Sequence, residues 1–326
     1  MRVTPLILVT ITTTPAVGFP FPKAAAASLT SALGTSITTL PSMDLTEANP
    51  GADGLASQIA IVTHHKSGTV ASADLISALC FPECDAGHMD SGCWAAWEVT
   101  GKARCAAVGV RWLTMGFLLS QEVEGYLEKS PSVVHFIRDP ASMVVSGYKY
   151  HMKCSEDWTY APLSLWPTFP QWESTMAGSA NTLATIKQIL GAHAHATNAS
   201  YCELLQAASA EQGVAAETVR ALEAADGVGA MLDDVERLRE LNATGRLSLL
   251  FNMCMSDYEP PNTEHANATW RELVQALQMD RPVAVHYDVS HTSSTNSSDA
   301  TDLEAIAKGE LLRRRPSALA LDACRP

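Results

Sequence analysis

The sequence is short of positive charge: it holds 22 Lys and Arg against 35 Asp and Glu, a formal net charge of −13. Nucleic acids and anionic membranes reward clustered positive charge, so this balance argues against a binder of either. A phosphorylated small molecule stays open, because a pocket needs positive charge only locally. The sequence also lacks a long apolar run, and its most apolar stretch, at the N-terminus, falls short of the roughly 20 residues of a spanning helix. No Cys-x-x-Cys pair occurs, which argues against a zinc ribbon. There is no internal repeat. A Walker A loop needs a glycine five residues before its Gly-Lys-Ser/Thr. Here the comparable lysine precedes its glycine, in Lys66-Ser67-Gly68-Thr69. A Mg²⁺-dependent ATPase thereby loses its main support.

What is present is globular in composition, 47% hydrophobic and 17% charged over 326 residues, enough for one large α/β domain or two small ones. Arg2, the run Pro5-Leu6-Ile7-Leu8-Val9 and the small residues Ala16-Val17-Gly18 read as a signal peptide over residues 1–18. A weak signal anchor, and with it a membrane tether through the N-terminus alone, is the alternative. Phe19 directly after that site also resembles a plastid-entry signal. Residues 19–56 are rich in Ala, Ser, Thr and Pro without a sustained period, as expected of a disordered linker or stem. Residues 57–326 then form the functional domain. Four sequons (Asn198, Asn242, Asn267, Asn296) and eight cysteines, an even number, support a secretory route with disulfides. His88, between Cys84 and Cys93, offers a metal candidate; disulfides or buried thiols account better for these cysteines.

Ordered structure should begin at Gln58-Ile59-Ala60-Ile61-Val62, an apolar run of strand length, followed by a polar turn and a helical pattern through Ala73, Ile76 and Leu79. The same grammar recurs at Val133–Ile137, where Arg138-Asp139-Pro140 breaks the strand and a helix runs to His151. Ala106–Leu113 and Leu247–Phe251 read as further strands. Phe117–Leu127, Leu204–Leu222, Met231–Leu241, Trp270–Leu277 and Leu303–Leu312 read as helices, and Val289–Ser298 as a polar loop. Strands alternating with helices predict an α/β fold with a parallel sheet covered by helices on both faces.

The first turn joins a buried strand to a helix N-terminus, where unpaired N–H groups and the helix dipole favour an anion. Lys66 adds a full charge, Gly68 permits close backbone approach, and Ser67 and Thr69 offer hydroxyls. The second turn puts Arg138, and Ser146 eight residues on, near the same sheet edge, where open α/β folds bind ligands. An arginine there suits a second phosphate; Asp139 serves equally as a helix cap.

Together, Lys66-Ser67-Gly68-Thr69 and Arg138-Asp139-Pro140 with Ser146 resemble the two signatures of sulfotransferases that use 3′-phosphoadenosine-5′-phosphosulfate (PAPS). Their order, their 72-residue separation and their strand–turn–helix settings all agree with that family. The continuation Ser146-Gly147-Tyr148-Lys149-Tyr150-His151 is similar to its Golgi-type and algal members more than to its cytosolic ones. The resemblance covers roughly residues 58–280 and implies a P-loop-type sheet, PAPS as cosubstrate and no metal. It implies that Lys66 contacts the bridging oxygen, that Ser67, Gly68 and Thr69 hold the 5′-phosphate, and that Arg138 and Ser146 hold the 3′-phosphate. Lys308 or Arg313-Arg314-Arg315 stands for the family's basic C-terminal loop, with Arg313 as the candidate phosphate contact. Val70 and Ala71 depart from the pattern, replacing a common second Thr and the Trp that stacks on adenine in cytosolic members.

Such transfer needs a general base for the acceptor hydroxyl or amine. His88 and Glu98 are the leading candidates; Asp90, His64 and His65 also qualify, while His151 reads as a helix-end residue. The resemblance and the secretory signals imply a carbohydrate acceptor in the Golgi lumen, with plastid or secreted alternatives. Two other readings stand beside it: a P-loop nucleotide-dependent kinase or hydrolase, and a non-catalytic glycan- or nucleotide-binding module.

Overall fold

The computed structural model describes residues 58–80, 105, 109–113, 131–154, 156–166, 179–191, 199–258, 263–279 and 298–319. The N-terminal segment, His88, Asp90, Glu98, the expected helix Phe117–Leu127 and the polar stretch before residue 298 lie outside them. Four parallel strands form one sheet: β1 (Ile59–Val62), β2 (Val110–Leu113), β3 (Ser132–Ile137) and β4 (Leu249–Cys254), in the order β2-β1-β3-β4. Every residue of β1 and β3 is buried. Continuous apolar runs of this kind belong to parallel strands covered on both faces.

The main helices are α1 (Thr69–Cys80), α2 (Pro140–His151), α3 (Ala180–Leu190), α4 (Tyr201–Ala207), α5 (Ala210–Glu223) and α6 (Val228–Ala243). After β4 come the single turn α7 (Met255–Tyr258), α8 (Thr263–Ala276) and α9 (Ser298–Arg314). Alternation along the strands divides the core. Ile59, Ile61, Val134 and Phe136 pack with Leu75 and Ile76 of α1 and with Trp270 and Leu273 of α8. Ala60, Val62 and Val133 point the other way, onto Leu238 and Leu241 of α6. A third cluster joins α2, α3, α4, α5 and α9 through Val144, Ile186, Leu204, Val214 and Leu311. The architecture is the α/β fold expected, with helices on both faces.

Several boundaries differ from the sequence reading: α6 begins three residues before Met231, α8 seven before Trp270 and α9 five before Leu303. Strand β4 starts two residues later and continues to Cys254. The single helix expected over Leu204–Leu222 is two, because Ser209 opens a new one. Its hydroxyl accepts from the Gln212 N–H while the Gln212 side chain accepts from the Ser209 N–H, a reciprocal cap that outweighs the helical periodicity running across it.

Disulfides join Cys80 to Cys105, with Cα atoms 5.0 Å apart, and Cys154 to Cys202, 5.3 Å apart. Both fit an oxidising compartment. Among the described residues no helix is long and apolar enough to cross a membrane.

The first turn of α6 packs against the end of α5 with no room for a side chain at Gly229, where a Cβ would collide with the Leu222 carbonyl oxygen. Gly229→Ala should therefore cost about 1–3 kcal/mol of stability, read as a lowered urea midpoint. An unchanged midpoint would mean that the turn opens freely.

Candidate anion-binding site

The loop after β1 is wound tightly by its own polar groups. Strand pairing persists one residue past β1, as the Thr63 N–H donates to the Leu113 carbonyl (3.0 Å). The Ser67 hydroxyl then accepts from the His64 N–H (2.8 Å) and donates to the His64 carbonyl (3.0 Å). Lys66 lies at φ 65° and Gly68 at φ 122°, so two of the loop's residues occupy the left-handed side of backbone space. Glycine adopts this without cost, whereas a lysine there is held by its surroundings. From outside, the His65 N–H donates to the Asp226 carbonyl (2.6 Å), anchoring the loop to the α5–α6 turn. Helix α1 begins immediately beyond, at the exposed Thr69, so the loop leads into the positive end of its dipole.

Strands β1 and β3 are neighbours in parallel register, Val62 opposite His135. The loops that follow them therefore emerge side by side at the C-terminal sheet edge. The chain passes from β1 to β2 on one side and returns to β3 on the other, which makes this edge a topological switch point. There Arg138 Nη1 donates to the Lys66 carbonyl (3.2 Å), so the two sequence motifs are in direct contact. The Asp139 side chain accepts from the Ser142 N–H (2.8 Å) and caps α2, as its alternative reading required. Ser146 lies half-buried on α2. Ser67, expected as a phosphate donor, has its hydroxyl engaged in closing the loop, while Thr69 is exposed beside it. Arg313 is at the far end of α9, where among the described residues it pairs with Glu310 on the same helix and not with the loop.

Lys66 Nζ rests over the Tyr150 ring, 2.9 Å from its centroid, a cation–π contact. Burial, with Arg138 and Arg220 nearby and despite Glu156 and Glu217, lowers its pKa to about 8. Behind it runs a chain of buried charges. The His65 ring stacks on His151 at 5.1 Å, and Glu156 spans both, with Oε1 3.7 Å from His65 Nδ1 and Oε2 3.3 Å from His151 Nε2. His151 Nδ1 lies 3.0 Å from Glu217 Oε2, which also accepts from the Tyr201 hydroxyl (2.9 Å). Arg220 completes the chain on Glu217 Oε1 through Nη2 (2.7 Å) and Nε (3.0 Å). Burial favours a neutral Glu156, yet its hydrogen bond with His151 and the imidazoles of His65 and His151 beside it bring the pKa down to about 2. Burial likewise opposes ionisation of Glu217, but Arg220 and then His151 hold it well below the usual carboxylate range. Burial, then His151 and Arg220, keep His65 well below the imidazole range.

A second cluster lies deeper. His64 Nε2 is 3.2 Å from His135 Nε2 and 3.3 Å from Asp234 Oδ2, all three residues being buried. Sequence reasoning missed both groups. One signal was available: His135 interrupts the apolar strand Val133–Ile137, and a polar side chain inside such a strand needs a partner.

No family model matches the sequence, and no curated protein or solved structure matches it either.

Because Glu156 and Glu217 titrate lower in the folded chain than in the unfolded one, their stabilisation is complete above the ordinary carboxylate range. It is lost as pH falls through the folded values. Glu217→Gln leaves Arg220 buried without its counter-ion, and should cost about 3–5 kcal/mol by urea unfolding at pH 7. That deficit should shrink below about pH 4; a pH-independent deficit would point to packing instead.

Proposed function

We propose that this protein is a sulfotransferase that moves a sulfuryl group from PAPS to a hydroxyl or amine of a carbohydrate acceptor in the secretory pathway. The observation that carries the reading is the hydrogen bond from Arg138 to the Lys66 carbonyl. Two motifs 72 residues apart meet at one sheet edge, as a donor with phosphates at both ends requires. The disulfides and the sequons support the luminal setting.

The residues present fit PAPS. The tightly wound loop and the start of α1 suit the 5′-phosphate, and Arg138 with Ser146 suits the 3′-phosphate. PAPS supplies an activated sulfuryl group and leaves as 3′-phosphoadenosine-5′-phosphate (PAP). Lys66 brings its ammonium to the oxygen that bridges phosphorus and sulfur, where negative charge grows as the sulfur–oxygen bond breaks. The acceptor oxygen or nitrogen forms the new bond to sulfur and gives up its proton. Among the described residues, His65 is the base candidate at the loop. Its depressed pKa keeps it neutral at pH 7, its Nε2 is buried with no hydrogen-bond partner among the described residues, and Glu156 lies against its Nδ1. His64, by contrast, is committed to the buried cluster with His135 and Asp234.

Calorimetry with PAP tests the donor assignment, and a folded chain with no measurable affinity for PAP would sink it. Arg138→Ala should weaken PAP by about 10–100-fold while barely changing adenosine-5′-phosphosulfate, which lacks the 3′-phosphate. Lys66→Ala should abolish transfer of labelled sulfate. Affinity for PAP should fall as pH rises past about 8, where Lys66 gives up its proton, and Lys66→Ala should remove that dependence.

His65→Gln should lower the rate constant for transfer by about 10²–10⁴-fold and remove the acid limb of the pH–rate profile, with PAP binding retained. A normal rate in this variant would move the base to His88 or Glu98.

A further inference from the structure

The loop that seats the anion starts at His64, and that residue has two close polar neighbours where one ring nitrogen can serve one. Its Nε2 lies 3.2 Å from His135 Nε2 and 3.3 Å from Asp234 Oδ2. An imidazole nitrogen carries either one hydrogen or one lone pair in the ring plane. If His64 Nε2 bears the hydrogen, it can point straight at Asp234 or at His135, not at both. If it bears the lone pair, His135 can donate to it, and the Asp234 carboxylate then faces that lone pair at contact distance. Each metal-free arrangement therefore leaves one of the two short contacts without a well-directed proton. The three side chains are 0%, 0% and 1% exposed, so bulk water does not soften the conflict.

We infer that His64, His135 and Asp234 bind a divalent transition-metal ion, of which zinc suits the donor set best. A cation at the centre accepts all three lone pairs at once and removes the conflict. The distances agree. Ligands about 2.0–2.2 Å from a tetrahedral zinc stand about 3.3–3.6 Å from one another, and the two short edges here, 3.2 and 3.3 Å, lie at the short end of that range. All three donor atoms lie within 4.8 Å of one another. Two imidazoles and a carboxylate form a donor set typical of zinc. Ligation through Nε2 places the hydrogen of each imidazole on Nδ1, which on both histidines has no hydrogen-bond partner among the described residues.

Each ligand comes from a different part of the fold: His64 from the loop after β1, His135 from within β3, Asp234 from α6. The ion would pin the first residue of the loop to the sheet and to the helix beneath it, two residues before Lys66. Its role is structural, since burial withholds it from a substrate. The other group of metal-ligand type, His65, His151 and Glu156, is a weaker candidate, because His151 already bonds Glu217 through its second nitrogen. The inference does not depend on the sulfotransferase reading.

The test is zinc content. The purified chain, equilibrated with zinc chloride and then dialysed against metal-free buffer, should retain about one zinc per chain by mass spectrometry. His135→Asn and Asp234→Asn, checked for folding by circular dichroism, should each retain less than about a tenth as much. His65→Gln should retain it all. A folded parent chain without zinc, or full zinc in both ligand variants, overturns the proposal. Should neither variant fold, cobalt(II) titration of the zinc-stripped parent chain decides. Intense visible bands of a four-coordinate site saturating near one equivalent support the proposal, and their absence overturns it.

Discussion

Glu217 is fully buried, and burying a carboxylate costs several kcal/mol unless its oxygens are all answered. Its partners are drawn from four places: Arg220 one turn along α5, Tyr201 at the start of α4, His151 at the end of α2 and, through His151, Glu156. Each bond fixes one of these elements relative to α5. Helix α2 can come near enough only because residue 147 is glycine; a Cβ there would lie 2.6 Å from Glu217 Oε1. With α2 set in this way, its N-terminal end carries Arg138 to the Lys66 carbonyl, and its C-terminal end stacks His151 on His65. One internal charge thus aligns both flanks of the anion seat.

The environment this creates is one where cations and neutral bases lie close together. Lys66 stands near Arg138 and Arg220 and is partly desolvated, so its proton is held less tightly than that of a surface lysine. His65 feels the same positive field and stays neutral. Glu156 and Glu217 supply the negative charge that balances this crowding. The left-handed backbone at Lys66 belongs to the same economy of strain, being maintained by Ser67, Arg138 and Asp226 around it.

Much of this could be read from residues in order. The strands Ile59–Val62 and Val133–Ile137, the turns after them and the helices they open follow from apolar runs broken by Lys-Ser-Gly-Thr and Arg-Asp-Pro. Local signals of this kind survive folding because parallel strands bury both faces and loops must lie at their ends. The division of α4 from α5 was written in Ser209 and Gln212, but helical periodicity continued through it and masked the cap. The buried network was not legible in the same way. Glu217 and Arg220 sit three apart on an Ala-rich helix, which in sequence looks like a solvated surface pair. Their burial comes from the neighbouring α4 and from α2, whose His151 lies 66 positions earlier than Glu217. Asp234 in α6 gives no hint that it meets His64, 170 positions earlier, because nothing local records which helix face will cover which strand.

The bond from the His65 N–H to the Asp226 carbonyl carries a consequence for how the molecule comes into being. The loop leaves the ribosome on the order of 160 residues before the turn that anchors it, and Ser132 of β3 precedes its partner Leu249 of β4 by about 117 residues. A growing chain that has completed β1, α1, β3 and α2 already displays both recognisable motifs, yet it has none of α5, α6 or β4 to hold them. The binding edge is therefore a late product of assembly, and a chain halted before α6 would carry the full signature without the means to close it.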